Sequence, residues 1–281
     1  MLQRSALTFV LIGSFLVQHC TASDYKILGE ANHDTHIFTQ GFDYEPPYFY
    51  ISSGLYQKSF LVREHDGTGA RKGVKLPTNI FAEGLVKVGN SIYLLTWKAG
   101  TAYQINADTF RLQHTFQYSG EGWGITFDGK ALVTSDGTST LQFRDPKSFN
   151  ETHAITVTLN GIEISNLNEL EFAQGALWAN VWLTDNLIKI DPSTGKVLSI
   201  WDLSALRPTA TLSDKSAVLN GIAYDDEHHA FWVTGKRWAK RYLIALTDST
   251  NQRTPEPPEH RPEQPQEGRI TPPRQSQKGT N

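Results

Sequence analysis

Ile80-Phe81-Ala82-Glu83-Gly84-Leu85 is one of five related phrases in the chain. Gln40-Gly41-Phe42, Glu83-Gly84-Leu85, Trp123-Gly124-Ile125, Asn168-Glu169-Leu170 and Asn220-Gly221-Ile222 each open a run of alternating apolar residues. Four of them carry an aromatic four places on, as Tyr44, Phe127, Phe172 and Tyr224, and Lys87 stands there in the second. The phrases recur at spacings of 43, 40, 45 and 52 residues. A repeat near 45 residues built from short strands marks the blades of a propeller. The fold expected is therefore all-β, a five-bladed β-propeller. Five blades place five equivalent residues round one axis, and of Gln40, Glu83, Trp123, Asn168 and Asn220 only Glu83 can ionise.

Strands follow outward from each phrase. Blade one, about Phe38 to Leu76, holds Tyr48–Ile51 and Phe60–Arg63. Blade two holds Ser91–Trp97 and Ala102–Ile105. Blade three holds Ala131–Thr134, Thr140–Arg144 and Ala154–Val157, and blade four Ala176–Trp182, Leu187–Ile190 and Val197–Trp201. Asp66-Gly67, Gly89-Asn90, Asp128-Gly129 and Ser193-Thr194-Gly195 supply turns. Blade five offers only Gly221–Tyr224, Ala230–Val233 and Tyr242–Leu246. Tyr25–Ala31, outside the repeat, is expected to supply its missing outer strand and close the ring, which removes two exposed sheet edges.

The bulk properties narrow the function. A net charge of −3 in 281 residues and a pI near 6.3 argue against a nucleic-acid partner, which calls for a basic face. Arg4, an apolar run from Ala6 to Val17 and the small-residue site Cys20-Thr21-Ala22 have the layout of a secretory signal peptide. Twelve apolar residues fall short of the roughly 20 that a spanning helix needs. The reading is residues 1–22 as leader, 23–247 as a catalytic propeller exported to a periplasm or secreted, with no membrane insertion, and a monomer. Cys20 is the sole cysteine, so the mature chain would have neither thiolate nor disulfide. Residues 248–281 carry seven of the thirteen prolines and no aromatic. Such a tail cannot bury enough apolar surface to offset its ordering entropy and is expected to be disordered.

Chemistry concentrates at the ends of the second strands: Ser52-Ser53, Trp97-Lys98, Ser135-Asp136, Asn180 with Trp182, and Thr234-Gly235-Lys236. Alternation places Trp178, Asn180 and Trp182 on one face. Adjacent strands should set these ends beside the register residues. The result is a small cleft of Phe38, Trp97, Trp123 and Trp182 around one glutamate and two lysines, the usual form of a small-ligand site. Trp178 and Trp201 read as packing. His33-Asp34-Thr35-His36 is the nearest approach to a metal cluster and reads as a loop; His228-His229 sit in a hairpin turn. No phosphate loop or nucleophile elbow occurs, and neither a metal nor a cofactor is expected. Asn150-Glu151-Thr152 is a glycosylation sequon in a eukaryotic secretory route.

Together these phrases resemble the glutamine cyclotransferase family of the plant and bacterial type. The resemblance rests on Phe38-Thr39-Gln40-Gly41-Phe42, Ser53-Gly54-Leu55-Tyr56, Phe81-Ala82-Glu83-Gly84-Leu85, Leu95-Thr96-Trp97-Lys98 and Gly120-Glu121-Gly122-Trp123-Gly124. It continues through Ser135-Asp136-Gly137, Leu167-Asn168-Glu169-Leu170-Glu171, Trp178-Ala179-Asn180-Val181-Trp182, Leu219-Asn220-Gly221-Ile222-Ala223 and Val233-Thr234-Gly235-Lys236. It covers nearly all of 33–246, in order. Gln57, where glycine is usual, and the Pro-rich tail depart from it.

The resemblance implies metal-independent conversion of N-terminal glutamine, in peptides or proteins, to pyroglutamate with loss of ammonia. Glu83 would be the acid/base, and Phe38, Gln40, Trp97, Lys98, Trp123, Asn168, Trp182 and Lys236 would line the site. Asn220 joins them through its place in the register. A hydrophobic rim would raise the pKa of Glu83 by desolvation, and a nearby lysine would oppose that. Lys98, Lys236 or indole N–H groups could stabilise the oxyanion. One alternative is a non-catalytic propeller that binds peptide N-termini or another small ligand. A second is a hydrolase or lactonase using calcium in the channel, which would need several converging carboxylates.

Overall fold

The computed structural model describes residues 24–247; the leader expected at 1–22 and the tail at 248–281 lie outside them. Five four-stranded antiparallel sheets follow one another. Blade one is Thr39–Glu45, Tyr48–Ser53, Phe60–His65 and Arg71–Lys75, and blade two Ala82–Val88, Ser91–Thr96, Thr101–Asn106 and Leu112–Gln117. Blade three is Ile125–Phe127, Leu132–Ser135, Thr140–Arg144 and Glu151–Thr156, and blade four Leu167–Ala173, Ala176–Val181, Asn186–Ile190 and Val197–Asp202. Blade five is Leu219–Asp225, Ala230–Gly235, Lys240–Leu246 and the N-terminal strand Tyr25–Asn32, which pairs with Lys240–Leu246. The ring closes as the sequence anticipates. At the seam Arg241 donates to Glu64 at 2.8 Å, and Arg71 bridges Glu64 and Asp34.

Burial falls from the axis outward. Ala82–Val88 is buried for five of its seven residues, while Arg71–Lys75 and Glu151–Thr156 are exposed almost throughout. That gradient explains why the outer strands of blades one and two, Arg-Lys-Gly-Val-Lys and Leu-Gln-His-Thr-Phe-Gln, give no apolar signal.

Between neighbouring blades, alternation sorts each strand's side chains into two cores. Phe49 and Ile51 pack with Trp232 of blade five, while Tyr50 between them packs with Leu85 and Leu94 of blade two. Trp178 and Trp201 lie fully buried between blades four and five, as packing residues. Two features went unsignalled in the sequence: a short hairpin, Thr158–Leu159 with Ile162–Glu163, and a connection over 203–218 containing 3-10 turns at Ser204–Leu206 and Thr209–Thr211. The second accounts for the 52-residue spacing.

Round the axis, the register phrases form a belt. Pairing slips at Thr39/Gly41, Ala82/Leu85, Leu167/Leu170 and Leu219/Ile222, so each of those inner strands bulges as it reaches the mouth. Five links then join consecutive blades. Ser52 Oγ accepts from Gly41 N–H (2.7 Å) and donates to Glu83 O (2.5 Å). Gly84 N–H donates to Trp123 O (2.6 Å). Ser135 Oγ accepts from Gly124 N–H (2.8 Å) and donates to Asn168 O (2.7 Å). Asn180 Oδ1 accepts from Gly221 N–H (3.0 Å). Asn220 Nδ2 donates to Thr39 O (3.0 Å) and Gln40 O (3.1 Å), returning to the first blade.

The approach is so close that a Cβ on Gly124 would stand 2.0 Å from Asn168 O. Where four blades carry glycine, the fourth carries Glu169, whose carboxylate crosses the axis to accept Phe42 N–H at 2.8 Å.

Candidate active site

Above the belt opens a cavity of about 190 Å³. Phe38, Gln40, Glu83, Trp97, Trp123, Asn168, Trp182 and Lys236 line it, joined by Phe81 and by Lys215 and Ser216 from the 203–218 connection. Blades one to four deliver Gln40, Glu83, Trp123 and Asn168 at the mouth ends of their inner strands, and the second strands of blades two, four and five deliver Trp97, Trp182 and Lys236 just past their ends. One side is aromatic: Phe38 meets Phe81 edge-on at 6.5 Å, Phe81 packs on Trp97 at 5.4 Å, and Trp123 meets Trp182 edge-on at 5.4 Å.

Two residues expected at the site lie elsewhere. Asn220 is fully buried, gives its Nδ2 to the belt and does not line the cavity. Lys98 stands outside on the rim, its side chain 53% exposed, with its ammonium 3.4 Å from Glu121 and 4.0 Å from the Trp97 ring centre. The second-strand ends divide likewise: Ser52, Ser135 and Asn180 serve the belt, and Asp136 caps its own turn at Thr138.

The polar half of the cavity is small. Glu83 is 5% exposed, and its Oε1 accepts from Gln40 Nε2 at 3.2 Å. Gln40 Oε1 and Asn168 Oδ1 are buried and take no hydrogen bond from any described residue, as is also true of Asn220 Oδ1 and Glu169 Oε2 in the belt. Burial pushes the Glu83 carboxyl well above its ordinary value; Lys236 opposes this and Glu121 adds to it. Desolvation prevails over the lysine. The same burial lowers Lys236 to about 8, against the pull of Glu83 and Glu169.

Glu121, quoted in the sequence motif but not marked as a site residue, lies behind the aromatic wall. Its Oε2 accepts the indole N–H of Trp97 at 2.7 Å and of Trp123 at 3.0 Å. Those two indoles are therefore spent, and Lys98 is turned to the same carboxylate. Donors that remain on the lining residues for an oxyanion include Lys236, Lys215, the Asn168 amide and the indole of Trp182. Phe81 could have been found from its place two residues before Glu83, and Lys215 and Ser216 from the excess length between the fourth and fifth phrases. Among the described residues no three His, Cys, Asp or Glu side chains converge to hold a metal ion, and no helix is long and apolar enough to cross a membrane.

Fold and cavity together define a five-bladed propeller with a buried acid and amine beneath an aromatic wall. The sequence profile of the family described as glutamine cyclotransferase matches residues 6–246. A glutaminyl-peptide cyclotransferase of Arabidopsis thaliana is 35% identical over 243 residues, covering 85% of this chain and 76% of the relative. A crystal structure of Myxococcus xanthus glutaminyl cyclase superposes with a TM-score of 0.74 at 35% identity, covering 79% of this chain and 96% of that one. The chain belongs to the glutamine cyclotransferase family.

Proposed function

We propose that this chain is a glutaminyl-peptide cyclotransferase that closes N-terminal glutamine to pyroglutamate and releases ammonia, with Glu83 as general base and then general acid. The observation that carries the reading is Glu83 itself: the one ionisable member of the register ring, buried in a cavity that Gln40, Asn168 and Lys236 also line.

The substrate's α-amine has an ordinary pKa near 7.7–8.0, so only a minor fraction is neutral at pH 7. The Glu83 carboxylate holds the amine, which reacts in its neutral form after the ammonium has lost one proton to solvent, with the amide oxygens of Gln40 and Asn168 as further acceptors. Its raised proton affinity suits it to take a proton as the nitrogen attacks the γ-carboxamide carbon. The new C–N bond makes a tetrahedral centre whose oxyanion Lys236 and the Trp182 indole can face. Glu83 then returns the proton to the departing nitrogen, the old C–N bond breaks, and ammonia leaves. No enzyme nucleophile is required. The ring closure is already intramolecular, so the aromatic wall contributes chiefly by holding the reactive rotamer.

The test is ammonia release from a Gln-initiated dipeptide by the purified protein, beside Glu83→Gln and a sample treated with EDTA. Release that survives EDTA and is lost in Glu83→Gln supports the reading. A folded protein that binds such peptides without ever releasing ammonia would be a binding propeller instead. The apolar run at 6–17 supports export, which N-terminal sequencing of the mature protein would check.

A further inference from the structure

We infer that Glu121 is a positioning residue that clamps the two halves of the aromatic wall and so fixes where the substrate's glutamine lies; this rests on the cyclase reading above. Ring-on-ring contacts run along Phe38, Phe81 and Trp97 in one part of the aromatic wall and between Trp123 and Trp182 in the other. Between Trp97 and Trp123, which come from different blades, the joint is a carboxylate. One oxygen, Oε2, accepts both indole N–H groups, and the other faces the Lys98 ammonium.

A flat indole can turn about two side-chain bonds, and packing on one face leaves that freedom partly intact. An N–H donated to a fixed anion removes it, and charge-assisted hydrogen bonds of this kind are about twice as strong as neutral ones. Glu121 itself is fixed by three donors. Burial lifts its carboxyl, and the N–H groups of Trp123 and Trp97 with Lys98 outweigh that, holding it below its ordinary value. Glycines on either side, Gly120 with φ +88° and Gly122 under the Tyr118 hydroxyl, let the chain turn sharply enough to bring the carboxylate behind both rings. The clamp touches neither Gln40 nor Glu83, so its effect should fall on how well the substrate is held.

Three proteins decide it: wild type, Glu121→Gln, whose amide oxygen can still accept both indoles, and Glu121→Ala. Each is labelled with ¹⁵N-tryptophan for indole N–H spectra and followed by ammonia release from a Gln-initiated dipeptide. In Glu121→Ala the Trp97 and Trp123 indole resonances, assigned from Trp97→Phe and Trp123→Phe, should move upfield, and KM should rise roughly tenfold. In that variant kcat should fall by a smaller factor than KM rises, because the wall also holds the reactive rotamer and the Glu121 charge is felt at Glu83. Glu121→Gln should recover most of the KM and move the same two resonances part of the way.

Unmoved resonances in both variants would overturn the contact. Resonances that move with KM unchanged would overturn its role in holding substrate, and a fall in kcat alone would mean that Glu121 takes part in the chemistry. Should the alanine variant fail to fold, the glutamine variant still gives both readouts. The spectra need no turnover, so a wild type that released no ammonia would sink the cyclase reading while the clamp was judged on its two resonances.

Discussion

The belt and the mouth lie one residue apart on the same five strands, yet the belt ties the backbone of one blade to the next and only the mouth opens to a cavity. In the belt, Gly41, Gly84, Gly124 and Gly221 give their N–H groups to partners that tie blade to blade. In the mouth, Gln40, Glu83, Trp123 and Asn168, the residues just before or beside them, line the cavity instead. Both layers hold a raised carboxyl, Glu83 or Glu169, and buried oxygens without a partner among the described residues. Buried polar groups are ordinarily paired. The difference teaches that residue type does not locate the working layer, because Asn220 belongs to the belt and Asn168 to the mouth. What separates them is whether the side chain lines the cavity, since both leave a buried Oδ1 without a partner among the described residues.

The sharpest break between the layers is Glu83→Gln. The amide keeps the size of the side chain and can still accept from Gln40, so the fold should persist, while kcat falls roughly 10²- to 10⁴-fold, the usual worth of a positioned acid/base. In the wild type, kcat/KM should decline on the acid side with an apparent pKa above the ordinary carboxylate value of about 4.3, because the free enzyme must present Glu83 ionised. The same shift has a stability sign. The folded state holds this proton more tightly than the unfolded chain, so the contribution is full below the unfolded pKa and is lost as pH rises through the folded one. An acid limb that survived in Glu83→Gln would remove Glu83 from the role.

Gly124→Ala should do the reverse. Its new Cβ would meet a backbone carbonyl at 2.0 Å, and backbone cannot swing aside as a side-chain tip can. A loss of about 3 kcal/mol in urea unfolding is expected, with the enzyme poorly populated rather than chemically impaired. A variant of wild-type stability would show that the belt tolerates expansion and is not the fixed frame proposed for the mouth.

How much of this was legible in the sequence follows the same division. The five phrases fixed the blade count and the closing strand because inner strands are buried on both faces and must keep their alternation. Outer strands such as Arg71–Lys75 face water and carry no such constraint. Glu83, Gln40, Trp123, Asn168, Trp97, Trp182 and Lys236 could be placed near one another because register carries geometry. Asn220 and Lys98 could not be sorted from them, since where a side chain spends its donors depends on neighbours from other blades. Lys215 and Ser216 arrive on a connection without period, visible only as surplus length.

Ser135→Ala asks whether the belt is energetic or merely geometric. Losing the hydroxyl strands the Gly124 N–H and frees Asn168 O. A buried donor left unpaired costs about 1–3 kcal/mol, to be read as a lower urea midpoint with activity per folded molecule near that of the wild type. A fall in activity without loss of stability would mean that the serine acts through Asn168, and the two layers would no longer be separable.

The smallest effect is expected at Lys98, one of the residues that the family resemblance placed in the site. Its ammonium is half in water, and its partners are an exposed face of Trp97 and the outer oxygen of Glu121. Pairs of that kind are worth about 0.2–1 kcal/mol, so Lys98→Ala should raise KM at most about fivefold and leave kcat alone. Lys236→Ala is the control, because that ammonium is buried in the cavity against Glu83. Its loss removes the charge opposing the desolvation of Glu83, so the acid limb of kcat/KM should move to higher pH, a shift Lys98→Ala should not produce. Equal shifts in the two variants would mean that rim and cavity share one electrostatic environment, against the burial that separates them here.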